Sequence, residues 1–365
     1  NDVTIGSNGN LEISGNITVS GNWNDGGSFT AGTNTVTFDG SSAQSISSGG
    51  SEFYSVTISN TDAVVSIADK FQFASGSLTI NSSATFALAG YDFDDNGATI
   101  TNNGTFQMNG DETLTTGALS IPGNTKIVDG SGATLTTGLA GLVNIEFNST
   151  GQTFVLGEAL SYVSGNITIA SNTTLDVDNS NSYGIFIGGN WINNGTFNPQ
   201  NGTVTFSGSD SQTMTGSTSF YNLKISNTHN SNKVTPGSAL TVSNLLNIHD
   251  GILSSPASDY NNVTIGANGT LELSGNITAS GTWSDAGLLT PSTNTVTFDG
   301  SAGQTITSNG SIFYNVTISN QHADAVSLAD KFQLNALGTL TINSGSIFAL
   351  AGFEFADKGG TITNN

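Results

Sequence analysis

The sequence predicts an all-β fold of one kind, a parallel β-solenoid (β-helix) of about 18 turns of roughly 20 residues each, with almost no helix. Three observations lead there: a long segment that recurs at a fixed offset, strand-like triplets spaced about one coil apart, and a composition poor in helix formers but rich in corner residues.

The recurrence is visible in one nonapeptide. TNTVTFDGS runs from Thr33 to Ser41 and again from Thr293 to Ser301, with a looser version, NGTVTFSGS, from Asn201 to Ser209. Val3 to Asn60 aligns with Val263 to Asn320 without a gap at an offset of 260, and after single insertions near Ala323 and Leu337 the match continues to the last residue. Residues 1–365 therefore read as one continuous solenoid in which 1–104 and 261–365 are a duplicated segment and 105–260 are intervening turns with a partial third copy at 164–227. Landmarks shared by the copies are Trp23, Trp191 and Trp283 in G-N-W or G-T-W, and the pairs Phe53-Tyr54, Phe220-Tyr221 and Phe313-Tyr314. SGNIT begins at Ser14, Ser164 and Ser274; it lies 9 residues before the tryptophan in the outer copies and 27 before it in the middle one. The excess of 18 residues is about one coil, which a stack of coils absorbs without losing register. An antiparallel sandwich would also show short strands and frequent turns, but has no reason to repeat over 260 residues.

The coil itself shows in apolar-Thr-apolar triplets. Thr18, Thr37, Thr57, Thr79 and Thr99 are 19, 20, 22 and 20 residues apart, and Thr278, Thr297, Thr317 and Thr341 repeat the spacing. Within a triplet the period is two, so Val, Ile or Phe face inward and Thr faces out. Asp39-Gly40, Asn103-Gly104, Asn194-Gly195, Asn201-Gly202 and Asp299-Gly300 supply corners. At ~4.8 Å per turn the whole would be a rod of roughly 85 Å.

Composition sets the limits of function. Only 9% of residues are charged, arginine is absent, and hydrophobic residues make up 35% with 20 Phe, enough for a core. A net charge of −21 repels phosphate backbones, so nucleic acid is not an expected partner. There is no cysteine, and no apolar run is long enough to insert in a membrane as a helix. The absence of cysteine fits an exported protein. Neither end reads as a capping unit, so the chain is expected to continue, with residue 366 opening a stretch like Gly104 onward, or to associate with itself end to end.

The pattern G-x-W, G-x-F, T-V-T-F-x-G, F-Y-x-V/L-x-I-S-N resembles repeats of large secreted bacterial surface proteins, similar in style to filamentous-haemagglutinin-like and other β-helical adhesins. The resemblance implies an extracellular, cell-surface filament or adhesin.

Candidate sites are few. Trp23, Trp191 and Trp283 could stack on sugars, but their parity and repetition favour buried structural aromatics, as for the Phe-Tyr pairs. Asp92, Asp94 and Asp95, or Asp176 and Asp178, could hold Ca2+ weakly; in the duplicate, Asp92 and Asp94 become Glu354 and Ala356, and solvated carboxylates are favoured. No cofactor is expected. His229, His249 and His322 lie scattered, and an unduplicated active site could only involve Asp111, Glu112, Lys126, Asp129 and Glu146, so no catalytic residues are assigned and the chain is not read as an enzyme. Outward threonines could match ice, although most triplets offer a single Thr. Sequons at Asn16, Asn166 and Asn276 leave glycosylation undecided. The expected function is structural: an acidic, extracellular, rod-like fibre or adhesin segment partnered by itself and by surface glycans. The alternatives are a carbohydrate-binding module or polysaccharide-active β-helix enzyme, and an ice-binding solenoid.

Overall fold

The computed structural model describes residues 1–115, 123–128, 131–135, 142–228 and 231–365. Strands pair in parallel with the strand about one coil away, and the described residues contain no helix. The coils number about 17, one fewer than the spacing suggests, because several turns reach 22 to 24 residues. Two compact units are present, Asn1–Asp176 and Val177–Asn365.

In the first unit each turn has three sides, which the sequence alone did not reveal. The first turn comprises Val3–Ile5, Asn10–Glu12 and Ile17–Val19, and the next Trp23–Asp25, Ser28–Thr30 and Thr35–Phe38. Val3 pairs with Trp23, Leu11 with Phe29 and Ile17 with Val36, which defines a first, second and third face. The corners between faces are too tight for most side chains. At Gly49 φ is +59° and an added Cβ would lie 2.2 Å from the Asp25 carbonyl oxygen of the turn below. Glycine adopts such a corner without a Cβ to place, and in the duplicate Asn309 holds the same position at a φ of +46°.

Alternation fills the inside. On the third face Val36, Val56, Leu78 and Ile100 stack in register, beside Phe38, Ile58 and Ile80, all of them buried. Each fully buried side chain of this size contributes roughly 1.5–3 kcal/mol of transfer free energy. Aromatic rings continue the stack on the second face: Phe53 to Phe71 is 5.0 Å and Phe71 to Phe93 is 6.3 Å between centroids.

The second unit uses the same rules. Ile277, Val296, Val316 and Leu340 form a buried ladder, and Phe313 stacks on Phe332 at 4.8 Å. Its repeats are not aligned face to face, however. Trp191 lies on the ladder Trp191–Met214, whose strand continues as Val234–Leu253–Leu271. Trp283 lies on a different one, Val204–Leu223–Leu246–Val263–Trp283–Ile306. The later copy is thus turned by one face relative to the middle copy. A three-sided coil permits this, since any side accepts any strand with the right inward pattern.

Two details of the sequence reading are corrected by the register. Thr79 pairs with Thr101, while Thr99 lies beside Ser77, so the fifth triplet of the first copy is Ile100-Thr101-Asn102 and not ATI. Ile17 and Ile277 pair with Val36 and Val296, 19 residues on, and the residue that does so in the middle copy is Ile185, with Val204. Ile167 of the middle SGNIT lies beside Ile145 instead, at the position that Val3 holds before Leu11. The middle copy is therefore longer by four residues (Ile167 to Ile185 is 18, Val3 to Ile17 is 14), not by a whole turn. Local pentapeptide identity had outweighed register. A corner absorbs the extra residues, with the Ser182 N–H donating to the Asp178 carbonyl at 2.9 Å.

Candidate functional site

The aromatic landmarks are architecture. Trp23, Trp191 and Trp283 are at most 1% exposed, and Phe53, Phe220 and Phe313 are equally buried, while Tyr54, Tyr221 and Tyr314 are half-buried beside them. Trp191 donates its indole N–H to Thr218 Oγ1 at 3.1 Å; those of Trp23 and Trp283 have no partner among the described residues. None of the three offers a face to a sugar.

Buried polar side chains do the same structural work three times. Gln44 Oε1 accepts the Gly40 N–H at 2.9 Å, and its Nε2 donates to the carbonyls of Val19 at 2.9 Å and Gly21 at 2.6 Å. Asn60 Nδ2 then donates to Gln44 Oε1 at 3.1 Å and to the Ser42 carbonyl at 2.7 Å. Gln212 with Asn227, and Gln304 with Asn320, repeat the clip. A signal was available: each glutamine stands eight residues after the valine of its T-V-T-F motif, and the asparagine closes I-S-N. The clip ties three successive turns together at one corner through one buried amide and explains why these letters recur.

The position two residues after each tryptophan is a second such device. Asp25, Asn193 and Asp285 accept the N–H of Gly27, Gly195 and Gly287. In the first copy Ser51 Oγ donates to Asp25 Oδ2 at 2.7 Å, whereas Oδ2 of Asp285 is buried without a bond of sound geometry. Burial accordingly raises the Asp285 carboxyl above its ordinary value, against the pull of the Ser311 hydroxyl and the Gly287 N–H. The folded state therefore takes up a proton at higher pH than the unfolded chain, and its stability falls as pH rises through the folded pKa. Asp285→Asn, which reproduces Asn193, is expected to stabilise the second unit at pH 7 by on the order of 1 kcal/mol and to flatten its dependence on acid pH in urea melts.

Tyr260 gives the matching effect in alkali. It is buried, shares a 2.6 Å hydrogen bond with Ser255 Oγ, and has its phenol pushed up to about 12 by burial from an ordinary 10. Between those values the unfolded chain loses the proton and the folded chain keeps it, so stability falls as pH rises, by up to about 2–3 kcal/mol. Tyr260→Phe is expected to remove that part of the alkaline loss in thermal melts across the window.

The acidic candidates do not converge. Asp92 Oδ1 accepts the Thr113 N–H, while Asp94 Oδ1 and Asp95 Oδ1 accept the Asn96 and Gly97 N–H groups of one corner, so each is engaged with backbone. Asp94 also lies 3.6 Å from Lys70. Asp178 is half-buried and is held below its ordinary pKa by the Ser180 N–H and the Asn181 amide. No three acidic or histidine side chains gather as a metal site among the described residues. Glu112 is buried and accepts the N–H groups of Gly90, Asn109 and Gly110, which makes it a corner brace. Asp111 and His249 are exposed, and His322 lies 3.5 Å from Asp324. Asp129 and His229 lie outside the described residues.

Two exposed surfaces remain. The third face of the first unit carries two outward rows: Thr18, Thr37, Thr57, Thr79 and Thr101, and beside them Asn16, Thr35, Ser55, Ser77 and Thr99. The second unit has the same pair of rows at Thr278, Thr297, Thr317, Thr341 and Thr363, with Asn276, Thr295, Asn315, Thr339 and Thr361. Each turn thus offers two polar positions and not one. Part of the second row is occupied internally: Asn315 Oδ1 accepts both the N–H and the hydroxyl of Thr339. The sequon residues Asn16 and Asn276 likewise accept the N–H of Thr35 and Thr295.

The other surface is a shallow trough of about 480 Å³ on the first face of the first unit, reaching from Val64 and Thr85 into the unduplicated turns. The register brings together Lys126 and Glu146, two of the residues singled out in the sequence, and adds Gln107, Asn124, Asn144 and Asn166, which had not been singled out. A larger, more open trough of about 730 Å³ in the second unit is lined by Asp259, Thr278 and Asp299. Partial burial, with the charge of Asp259 adding, raises the Asp299 carboxyl.

Comparison with protein-family models finds no match, and comparisons with curated proteins and with solved structures find none either. The fold is a β-solenoid of repeated coils, and no relative assigns it a task.

Proposed function

We propose that the chain is a structural segment of an extracellular surface fibre or adhesin, stiff along its stacking direction, without catalytic activity and partnered chiefly by further solenoid turns. One observation carries this reading: buried polar side chains that could have built a reactive site are bonded to the backbone of neighbouring turns instead, through the clip that occurs at Gln44, Gln212 and Gln304. Such bonds resist separation of the turns, because breaking one strands several buried groups at once. The low density of charge and the acidic sign suit a polar exterior that does not adhere to itself indiscriminately. Antibody labelling of intact native cells tests the proposal. Surface staining on thread-like material is expected; staining only after lysis would overturn it.

The doubled polar rows on the third face favour a second reading, an ice-binding surface, since rows ~4.8 Å apart along the stack offer a regular hydroxyl array. Thermal hysteresis in purified protein, lost on Thr37→Lys, would support it; its absence would dismiss it.

A further inference from the structure

We propose that the trough on the first face of the first unit binds a neutral, extended polysaccharide strand lying along the stack. This goes beyond the structural role and does not depend on it. The two outward rows described on the third face of the first unit are mostly short hydroxyls, but here three successive turns place Gln107, Lys126 and Glu146 side by side in register. Asn124, Asn144 and Asn166 form the parallel row. All six have side chains long enough to reach a bound molecule, and amides both donate and accept.

The site is partly preorganised. Asn144 Nδ2 donates to Asn124 Oδ1 at 2.9 Å, and Asn144 Oδ1 accepts the Asn166 N–H at 2.7 Å, which fixes the amide row. Lys126 and Glu146 are neighbours of opposite charge, yet Lys126 makes no ion pair with a described residue, and Glu146 Oε1 is bonded to the Asn148 amide at 2.6 Å. A group that accepts from an ammonium and donates to a carboxylate would bridge them, and a hydroxyl does both. Successive turns rise by ~4.8 Å, a length comparable with one sugar of an extended chain, so each turn meets one unit. Glu146 and the net charge of −21 disfavour a uronate. The volume lies within the usual range for small-ligand sites, and the lining holds no aromatic ring, so affinity per site is low and comes from several turns together.

The test titrates the full chain with neutral hexasaccharides of β-1,4-linked glucose, mannose and xylose, and with a galacturonate hexasaccharide, by nuclear magnetic resonance. At least one neutral hexamer is expected to bind in the millimolar range or tighter, its disaccharide about tenfold more weakly. Lys126→Ala and Glu146→Ala are each expected to weaken binding about tenfold with melting temperature unchanged, while Thr297→Ala in the second unit has no effect. As a check independent of the variants, hexamer binding should raise amide exchange protection on residues 124–127 and 144–147. No binding by any neutral hexamer, binding of the galacturonate alone, or binding indifferent to both substitutions would overturn the proposal. Surface labelling of cells is unaffected by any of these outcomes.

Discussion

Gln304→Leu is expected to lower the unfolding free energy of the second unit by roughly 4 kcal/mol, although leucine is apolar and close in size. Its side chain carries four bonds: it accepts from the Gly300 N–H and from Asn320 Nδ2, and donates to the carbonyls of Ala279 and Gly281. The Gly300 N–H and the Ala279 carbonyl stay behind buried, Asn320 keeps only its bond to the Ala302 carbonyl, and the Gly281 carbonyl is part-buried; a buried group left unpaired costs about 1–3 kcal/mol. Water entry will recover part of that sum. Gln304→Glu fails for a related reason, since it keeps the acceptor, loses the donors and buries a charge. Gln321→Leu, at an exposed position, is the control and should change stability by less than about 0.5 kcal/mol. Urea titration monitored by tryptophan fluorescence at Trp283 reads the difference.

Phe332→Ala is expected to cost about 3–5 kcal/mol. The ring is fully buried and sits in a column with Phe313 at 4.8 Å and Phe355 at 5.9 Å, while Phe348 meets it edge-on at 5.8 Å. A narrow three-sided core cannot collapse onto the gap, because the backbone on every side is fixed by bonds to the turns above and below. Phe332→Leu fills most of the space and should recover more than half of the loss. The corresponding change at Phe71, stacked between Phe53 and Phe93 in the first unit, should behave alike.

Parallel coiling is legible in this sequence because inward and outward residues alternate strictly in T-V-T-F and its relatives, and because the coil length recurs. The three sides are not legible, since strands of three or four residues such as Asn10–Glu12 and Ser28–Thr30 carry one inward side chain each and leave no period to detect. The shift of the middle copy is hidden for a similar reason: SGNIT fits any side, so identity at Ser164 pointed to the wrong strand, and only pairing separates Ile167 from Ile185. The inward tryptophans follow from parity. The glutamine clip could have been found from its fixed distance to T-V-T-F, but a glutamine in a polar corner looks solvated until its partners across two turns are known. The trough arises from residues about 20 apart, and nothing local marks Gln107, Lys126 and Glu146 as neighbours.

In-register parallel stacking is tested most directly by spin labels along one ladder of the second unit, in a chain whose lack of cysteine makes each label unique. Ser219, Thr241, Asp259, Thr278, Thr297, Thr317, Thr341 and Thr363 follow one another turn by turn. Labels at Ser219 and Thr317 should lie about 24 Å apart, and labels at Ser219 and Thr363 about 34 Å, growing by ~4.8 Å per turn. Distances that fail to grow with the number of turns, or that reverse along the series as antiparallel hairpins require, would contradict the stacking and everything built on it.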